Sequence, residues 1–136
     1  MPEASTAALD TRVRSFLAGL SPDADSVDAH AVGTCFADPF LLADDTGARP
    51  VSRAAFLAAL PRRERMFADA GLGPAALTGV TCHRLDDRYV LARTEWDAPR
   101  IDGGAPVHLA SSYLLHDDGG RFRVLLYLNH QGLPGA

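Results

Sequence analysis

Asp38 and His130 are the two side chains whose types and positions could carry acid–base chemistry. Asp38 follows a helical pattern and precedes an apolar run, so its carboxylate could act as a general base at the mouth of an apolar pocket. The alternative is a turn in which that carboxylate bonds nearby backbone amides. His130 lies at the end of the last apolar strand pattern, where it could move a proton at neutral pH or could be a core side chain bonded to a carbonyl.

The residues predicted to bind a substrate belong to strand patterns and are either hydroxylic or bulky and apolar. Ser111 and Tyr113 fall on the same side of one strand, and both hydroxyls could donate to a substrate carbonyl. A buried tyrosine could equally find a partner within the protein. Trp96 is predicted to form pocket wall or core, and Phe40 and Leu128 are predicted to add apolar wall. These residue types favour a small apolar molecule as the ligand.

No metal or cofactor site is predicted. Cys35 and Cys82 lack metal-ligand spacing and are predicted to be reduced core residues. Gly103-Gly104 indicates a turn rather than a phosphate loop, because no strand and helix flank it in the required order. Three histidines are interpreted as surface or edge residues that share no face with a carboxylate at metal-ligand spacing: His83, His108 and His116.

The composition is that of a small globular protein and excludes several partner classes. The chain has 136 residues, 47% of them hydrophobic and 22% charged, which predicts a single domain over 1–136. A formal net charge of −4 gives no general attraction for nucleic acid or anionic lipid. The basic cluster 61–65 is interpreted as a solvated helix face. No apolar run could span a membrane and no signal sequence is visible, so a cytoplasmic location is expected.

The first half of the chain has helical patterns. A second helix should begin near Asp25 or Ser26 and end at Asp38-Pro39, since the residue before proline is disfavoured in a helix. A short strand over 40–42 follows, and Ser52 should cap a third helix. Pro61 is expected to kink or split that helix. The first helix rests on apolar residues at helical spacing: Leu9, Val13, Phe16, Leu17 and Leu20.

The second half has strand patterns separated by turn residues. The strands are expected over 77–85, 89–98, 107–116 and 122–131. Asp86-Asp87 and the Asp117–Gly120 segment fit tight hairpins, and a looser connection passes through Asp102–Gly104. Consecutive hairpins make an antiparallel meander. Helices first and strands later predict an α+β fold with the helices on one face of the sheet.

Alternation along each strand predicts which side chains face the helices. In the last strand the even residues are the more apolar and should face inward, with Leu125 and Tyr127 left on the outer face. Apolar residues on an outer sheet face indicate a second copy of the protein packed there. Other inward positions follow from the same alternation: Val90, Ala92, Thr94, Trp96, Val107, Leu109, Ser111, Tyr113 and Leu115.

Three stretches resemble the SnoaL-like, or nuclear transport factor 2-like, superfamily: 36–40 around Asp38-Pro39, 49–56 entering the third helix, and 112–130 ending at Tyr127-Leu128-Asn129-His130. The similarity covers nearly the whole chain. It implies three N-terminal helices packed on a curved, mainly antiparallel sheet, a cone-shaped, cystatin-like roll that encloses one pocket.

The resemblance also bears on activity. Ketosteroid isomerases of this superfamily use an aspartate as proton shuttle, and Asp38 is similar in position. Their tyrosine and acid positions correspond here to Phe16 and Ser111, so steroid isomerisation by that route is not expected. The Asp-Arg-Asp set of the superfamily's epoxide hydrolases has its counterpart in residues expected to face outward: Arg93, Glu95 and Asp97.

Two classes of function follow from the resemblance. The first is a cofactor-independent isomerase, polyketide-cyclase-like enzyme or dehydratase that acts on a small apolar carbonyl or hydroxyl compound. The alternative is a non-catalytic ligand-binding domain, or a structural module that works through a homodimer.

Overall fold

Two helices and six strands make up the part of the chain that the computed structural model describes, residues 2–18, 35–73 and 75–130. The helices are α1 (Pro2–Ala18) and α2 (Arg53–Asp69). The strands are β1 (Phe36–Asp44), β2 (Gly47–Val51), β3 (Ala76–Arg84), β4 (Tyr89–Ala98), β5 (Val107–Asp117) and β6 (Phe122–Asn129).

All six strands form one sheet in the order β2-β1-β6-β5-β4-β3. The β1–β6 pair is parallel and every other neighbouring pair is antiparallel, which confirms the α+β class with a mainly antiparallel sheet. Both helices pack on one face, called here the inner face. The core combines α1 with the inner face of the sheet through Leu9, Val13, Leu17, Phe36, Phe40, Val90, Ala92, Tyr113, Leu115, Phe122, Val124 and Tyr127.

The antiparallel meander of the second half is confirmed. The predicted 89–98 strand is β4, and the other three predicted strands differ from β3, β5 and the described part of β6 by one or two residues. The links around Asp86-Asp87 and Asp118–Gly120 each join antiparallel neighbours, as hairpins must. Turn residues at these points terminate the alternating patterns, which is why the sequence locates the strands well.

The predicted second helix falls mostly on residues 19–34, which lie outside the described residues. Its expected last turn is wrong, because Cys35 is in a turn and Phe36 already begins β1. The described residues therefore contain two helices rather than the expected three. β1 also runs from Phe36 to Asp44, well beyond the predicted 40–42, since β2 and β6 pair with it on either side.

The third predicted helix is α2, and Ser52 caps it as expected. The Ser52 hydroxyl accepts a hydrogen bond from the Ala55 N–H at 3.1 Å. The expected split at Pro61 is wrong, since α2 is continuous from Arg53 to Asp69. Proline removes one backbone donor, but Pro61 is exposed, so water can satisfy the carbonyl that loses its partner.

A β-bulge at Leu125 changes the direction of side chains along β6. Leu115 pairs with Val124 and Leu114 pairs with Leu126, so Leu125 is one extra residue on β6. Before the bulge the even residues face inward, as predicted. After it the odd residues do, because an inserted residue shifts the two-residue alternation by one position.

The bulge overturns the predicted faces for the end of β6. Tyr127, expected on the outer face, is buried on the inner face, and Asn129 shares that face as the cross-strand neighbour of Ser111. Leu128 and His130, expected inside, belong to the outer face. The inward assignments on β4 and β5 are confirmed, since Val90, Ala92, Thr94, Ser111, Tyr113 and Leu115 are all buried.

Candidate functional site

A chain of polar side chains crosses the inner face of the sheet and begins on β4. The Trp96 Nε1–H donates to Thr94 Oγ1 at 2.7 Å, and the Thr94 hydroxyl donates to the Ser111 carbonyl at 2.9 Å. The two hydroxyls of Thr94 and Ser111 are 2.7 Å apart. Thr94 and Ser111 pair across β4 and β5, so the sheet register itself brings them together.

Two stacked tyrosines continue this chain across β5 and β6. Tyr113 and Tyr127 are direct cross-strand partners, their ring centroids are 4.9 Å apart, and their planes differ by 5°. Both rings are buried. Cross-strand pairs on one face are the closest side-chain neighbours in a sheet, so the bulge at Leu125, by turning Tyr127 inward, creates this pair.

Arg63 of α2 closes the polar chain from the helix side. Its Nη2–H donates to the Tyr127 hydroxyl at 2.6 Å, and its guanidinium carbon is 5.4 Å from the centre of the Tyr127 ring. Arg63 lies three residues after Leu60 and seven after Phe56, both partly buried against the core. Helical spacing therefore directs Arg63 toward the sheet.

The Tyr113 hydroxyl stays protonated at all physiological pH values. Burial raises its pKa most, and the neighbouring Tyr127 raises it further, whereas Ser111 and Arg63 act in the opposite direction. A buried phenol of this kind serves as a hydrogen-bond donor rather than as a base. The inner polar chain can therefore bind the oxygen of a ligand.

The predicted substrate-binding residues divide between the two faces of the sheet. Ser111, Tyr113 and Trp96 are together on the inner face, in the polar chain just described. Phe40 is buried in an aromatic cluster. The centre of its ring is 4.8 Å from that of Phe36 and 5.2 Å from that of Phe56. Leu128 lies on the outer face, because of the bulge, and cannot line the inner site.

Asp38 is exposed and lies at the first turn of α2. Its Oδ1 accepts a hydrogen bond from the Arg53 N–H at 3.1 Å, while the Arg53 guanidinium donates to the Phe36 carbonyl at 2.8 Å. This geometry matches the backbone-bonding alternative for Asp38, with the carboxylate at the positive end of a helix. The structure does not bring Asp38 into contact with the inner polar chain, and its catalytic role stays a prediction.

His130 is exposed on the outer face, beside Ser112 and Arg93. Its Nε2 is 2.8 Å from the Ser112 hydroxyl and 3.5 Å from Arg93 Nη1. Both contacts are made by the same ring nitrogen. His130 is separated by the sheet from the Tyr113–Tyr127 pair.

His108 has carboxylate partners that the sequence reading missed. On the outer face its Nδ1 is 3.1 Å from Asp97 and its Nε2 is 3.6 Å from Glu95. Asp97 and His108 are cross-strand partners on β4 and β5, and His108 is exposed, as predicted. Among the described residues no group of three or more such side chains could hold a metal ion.

A second ionic cluster, Arg12–Asp117–Arg84, lies at the β5–β6 hairpin. Asp117 is buried, and Arg12 and Arg84 donate to its two oxygens at 3.0 and 3.1 Å. The Gly119 N–H adds a third donor at 3.0 Å. These donors, with Arg12 contributing most, hold the pKa of Asp117 well below its usual range. The cluster is satisfied internally and offers nothing to a ligand.

Cys82 is an unreactive thiol. Burial, with a further effect from Asp10, raises the pKa of Cys82 to about 11. A cysteine that stays protonated at neutral pH is a poor nucleophile. Neither Cys35 nor Cys82 forms a disulfide bond.

Sequence reasoning missed three inner-face residues: Arg63, Tyr127 and Asn129. Arg63 was grouped with the solvated cluster 61–65, although its helical spacing from Phe56 was available as a signal. The other two depend on the bulge. Several consecutive residues of β6 are apolar, so the sequence alternation carries no sign of the extra residue.

Comparison with known proteins identifies the fold. No protein-family model and no curated protein matches the chain. Among solved structures, a protein of unknown function with a cystatin-like fold from Nostoc punctiforme has a TM-score of 0.70 at 12% identity over 93% of each chain. An NTF2-like protein from Novosphingobium aromaticivorans has a TM-score of 0.68 at 22% identity, covering 99% of this chain and 89% of that one.

The chain has the cystatin-like, NTF2-like fold. A third similar structure, a protein with a ketosteroid isomerase-like fold from Catenulispora acidiphila, is a complex with trimethylamine. Its TM-score is 0.56 at 16% identity, and the match covers 89% of this chain and 85% of that chain. The superfamily resemblance seen in the sequence is thus confirmed at the level of fold. The NTF2-like fold hosts many activities, so function has to be argued from the side chains.

Neither described helix is both long and apolar enough to cross a membrane. α1 and α2 each have 17 residues, and both pack on the NTF2-like sheet through one face.

Proposed function

We propose that the protein binds a small, largely apolar molecule on the inner face of its sheet and holds one oxygen of that molecule by hydrogen bonds. The observation that carries the proposal is the arrangement of Arg63 and the stacked pair Tyr113 and Tyr127. Three donor groups meet there beside apolar side chains of α2 and the sheet. A small number of polar groups in a mostly apolar lining is typical of sites that bind small molecules.

The fold supports this proposal. One structure with a similar fold is a complex with a small organic molecule, trimethylamine. In the present chain, the donors come from a helix and from two neighbouring strands, which position side chains more rigidly than loops do. The self-satisfied Trp96–Thr94–Ser111 bonds extend this rigidity along the inner face.

A matched pair of probes tests the oxygen-binding step. 2-Acetonaphthone and 2-ethylnaphthalene have similar shape, and only the first has a carbonyl. Isothermal titration calorimetry should give saturable binding of the ketone, weaker binding of the hydrocarbon, and roughly tenfold loss of ketone affinity in Tyr113→Phe. Tyr89→Phe, a change on the outer face, is the control. Equal binding of both probes, or an unchanged affinity in Tyr113→Phe, would overturn the proposal.

A second candidate function is the cofactor-independent isomerase, cyclase or dehydratase that the sequence predicts. The protonated Tyr113 hydroxyl favours it, since a fixed donor can stabilise the oxyanion of an enolate. Asp38 would be the base. Ten residues of helix separate Arg53, which Asp38 contacts, from Arg63, a distance of about 15 Å. A substrate that reached both groups would have to be elongated.

Hydrogen–deuterium exchange at carbon tests the enzyme candidate. The protein would be incubated with 2-acetonaphthone in D₂O, and deuterium in the methyl group next to the carbonyl would be measured by mass spectrometry. Catalysed exchange that is lost in Asp38→Asn and kept in Asp45→Asn, an exposed turn residue, would support it. Exchange that persists in Asp38→Asn would remove Asp38 from the mechanism.

The partner proposed for the outer face is a second copy of the chain. Leu41, Leu126, Leu114 and Leu91 pair in sequence across β1, β6, β5 and β4 and so form one continuous row. Leu41 and Leu91 are both more than a third exposed. An apolar row of this length on one sheet face favours association.

Charge reversal in the middle of the row tests the homodimer. Leu126→Glu should give a monomer in sedimentation-velocity experiments at concentrations where the wild type is a dimer. Tyr127 is not a suitable position for this test, because it faces inward. Arg123→Glu, on an exposed position of the same strand before the bulge, is the control. A wild-type monomer, or a dimer that Leu126→Glu leaves intact, contradicts this assembly.

A further inference from the structure

The inner polar chain contains an internally satisfied part on β4 and β5. The single Thr94 hydroxyl hydrogen goes to the Ser111 carbonyl, so the short contact between the two hydroxyls requires Ser111 to donate to Thr94. The Trp96 N–H is also used within this group. The N–H and O–H hydrogens of these three side chains are all used in hydrogen bonds within this group. The donors that bind a ligand therefore have to come from other residues of the inner polar chain.

The remaining donors are gathered around Arg63. A guanidinium has five N–H groups and no acceptor, and one of these groups donates to the Tyr127 hydroxyl. The Tyr127 oxygen accepts that bond and keeps its own hydrogen to donate. Tyr113, stacked against Tyr127, adds a second phenol. A hydrogen bond received from a cation strengthens the next one that a hydroxyl donates.

The charge of Arg63 distinguishes this group from an ordinary hydroxyl site. Within residues 8–18, 35–73 and 75–130, no carboxylate lies within ion-pair distance of the Arg63 guanidinium. Arg12 and Arg84, in contrast, share Asp117. Arg63 is exposed, but its guanidinium lies against the buried Tyr127, so a negative charge bound beside the two phenols would form an ion pair with it.

We infer that the ligand is an apolar monocarboxylate whose carboxyl group is bound by Arg63, Tyr127 and Tyr113. The inference rests on the proposed function and names the class of ligand. The planar guanidinium fork matches the two oxygens of a carboxylate. A neutral carbonyl would accept the same hydrogen bonds without forming an ion pair with Arg63. A phosphate dianion would bring a second negative charge for which this group has no cation.

The first experiment compares charge at constant shape in the wild-type protein. Isothermal titration calorimetry at pH 7 would use decanoate, 4-phenylbutyrate and 2-naphthoate, each beside the primary amide of the same skeleton, and also 2-naphthyl phosphate. Because a hydrogen bond to a charged group stabilises more than one to a neutral group, at least one carboxylate should bind about tenfold or more tightly than its amide.

The second experiment assigns that preference to Arg63. Arg63→Gln should abolish the difference between carboxylate and amide, because the positive charge is lost while the glutamine side chain can still donate to an oxygen. Arg63→Lys should retain part of it, since the charge remains and the fork is lost. Arg62→Gln removes a neighbouring exposed arginine of the same helix and should leave both affinities as in the wild type. Circular dichroism checks that each variant is folded. If Arg63→Gln does not fold, the comparison of carboxylates with amides in the wild-type protein decides whether the inference holds.

The outcomes separate this inference from the proposal on which it rests. If amides and carboxylates bind equally, or if Arg63→Gln keeps the preference, the monocarboxylate inference is wrong while inner-face binding stands. Tighter binding of 2-naphthyl phosphate than of 2-naphthoate also overturns it. If no acid, amide or ketone binds, the proposed function fails and the inference fails with it.

Discussion

The two arginine clusters of the inner face use similar parts in different ways. At the β5–β6 hairpin, Arg12 and Arg84 converge on the buried Asp117 carboxylate. On α2, Arg63 meets the hydroxyl of Tyr127. Each charged group of the first cluster already has a partner of opposite sign. A ligand could therefore form few additional favourable interactions there.

The difference between the clusters indicates which one stabilises the fold and which one is available for binding. Asp117 joins α1, β3 and β5 through its partners, so its loss affects three elements at once. Arg63 is an exposed residue whose described hydrogen bond is to a neutral phenol. The first cluster should therefore appear in stability measurements and the second in binding measurements.

The largest effect is expected for Asp117→Asn. The neutral amide cannot balance Arg12 and Arg84, and the unfolding free energy should fall by about 2–3 kcal/mol, less than for a fully buried pair because both arginines are partly exposed. Urea denaturation followed by circular dichroism measures this. Asp87→Asn, in an exposed hairpin loop, serves as the matched control. A loss in Asp117→Asn no larger than in that control would show that the cluster contributes little.

An intermediate effect is expected from acid. The pKa of Asp117 is lowered in the folded state, first by Arg12, so its stabilisation is fully present above the unfolded value of about 4 and is lost as the pH falls below that value. Between pH 5 and pH 3 the wild type should lose about 1 kcal/mol more than Asp117→Asn does. Parallel acid profiles for the two proteins would rule out Asp117 as the source.

The smallest effect is expected for the stability of Arg63→Gln. The residue is exposed, and water can replace its bond to the Tyr127 hydroxyl, so the free energy of unfolding without ligand should change by less than about 0.5 kcal/mol. The same urea titration measures it, with Arg62→Gln beside it. A loss of 2 kcal/mol or more in Arg63→Gln would mean that Arg63 is a structural residue, and the contrast between the two clusters would disappear.

The strands of this fold could be predicted because turn residues interrupt clear alternation. Asp86-Asp87 and Asp117–Gly120 mark the hairpins, and alternation on β4 correctly turns Thr94 inward. The end of α2 could not be read as well. Proline has a strong local preference against helix interiors, but α2 continues through Pro61 where that residue is exposed to water.

The candidate site could be predicted only in its β4 and β5 part. Trp96, Ser111 and Tyr113 were placed on the inner face from alternation alone, and the structure agrees. The β6 part depends on an extra residue that local sequence does not mark, since Leu125 and Leu126 are equally apolar. Which of two adjacent leucines belongs to a bulge is decided by pairing with β5 and β1, a long-range property.

The bulge at Leu125 makes β6 a strand whose two sides would be exchanged, beyond that point, by a one-residue shift in its pairing with β5. If Leu125 were paired in the ladder instead of bulged, plain alternation would present Leu128 and His130 to the interior, while Tyr127 and Asn129 would pass to the exterior. Loss of the bulge at constant length would therefore exchange the ligand-facing and partner-facing side chains at the end of β6, whereas deletion of Leu125 would keep them as they are.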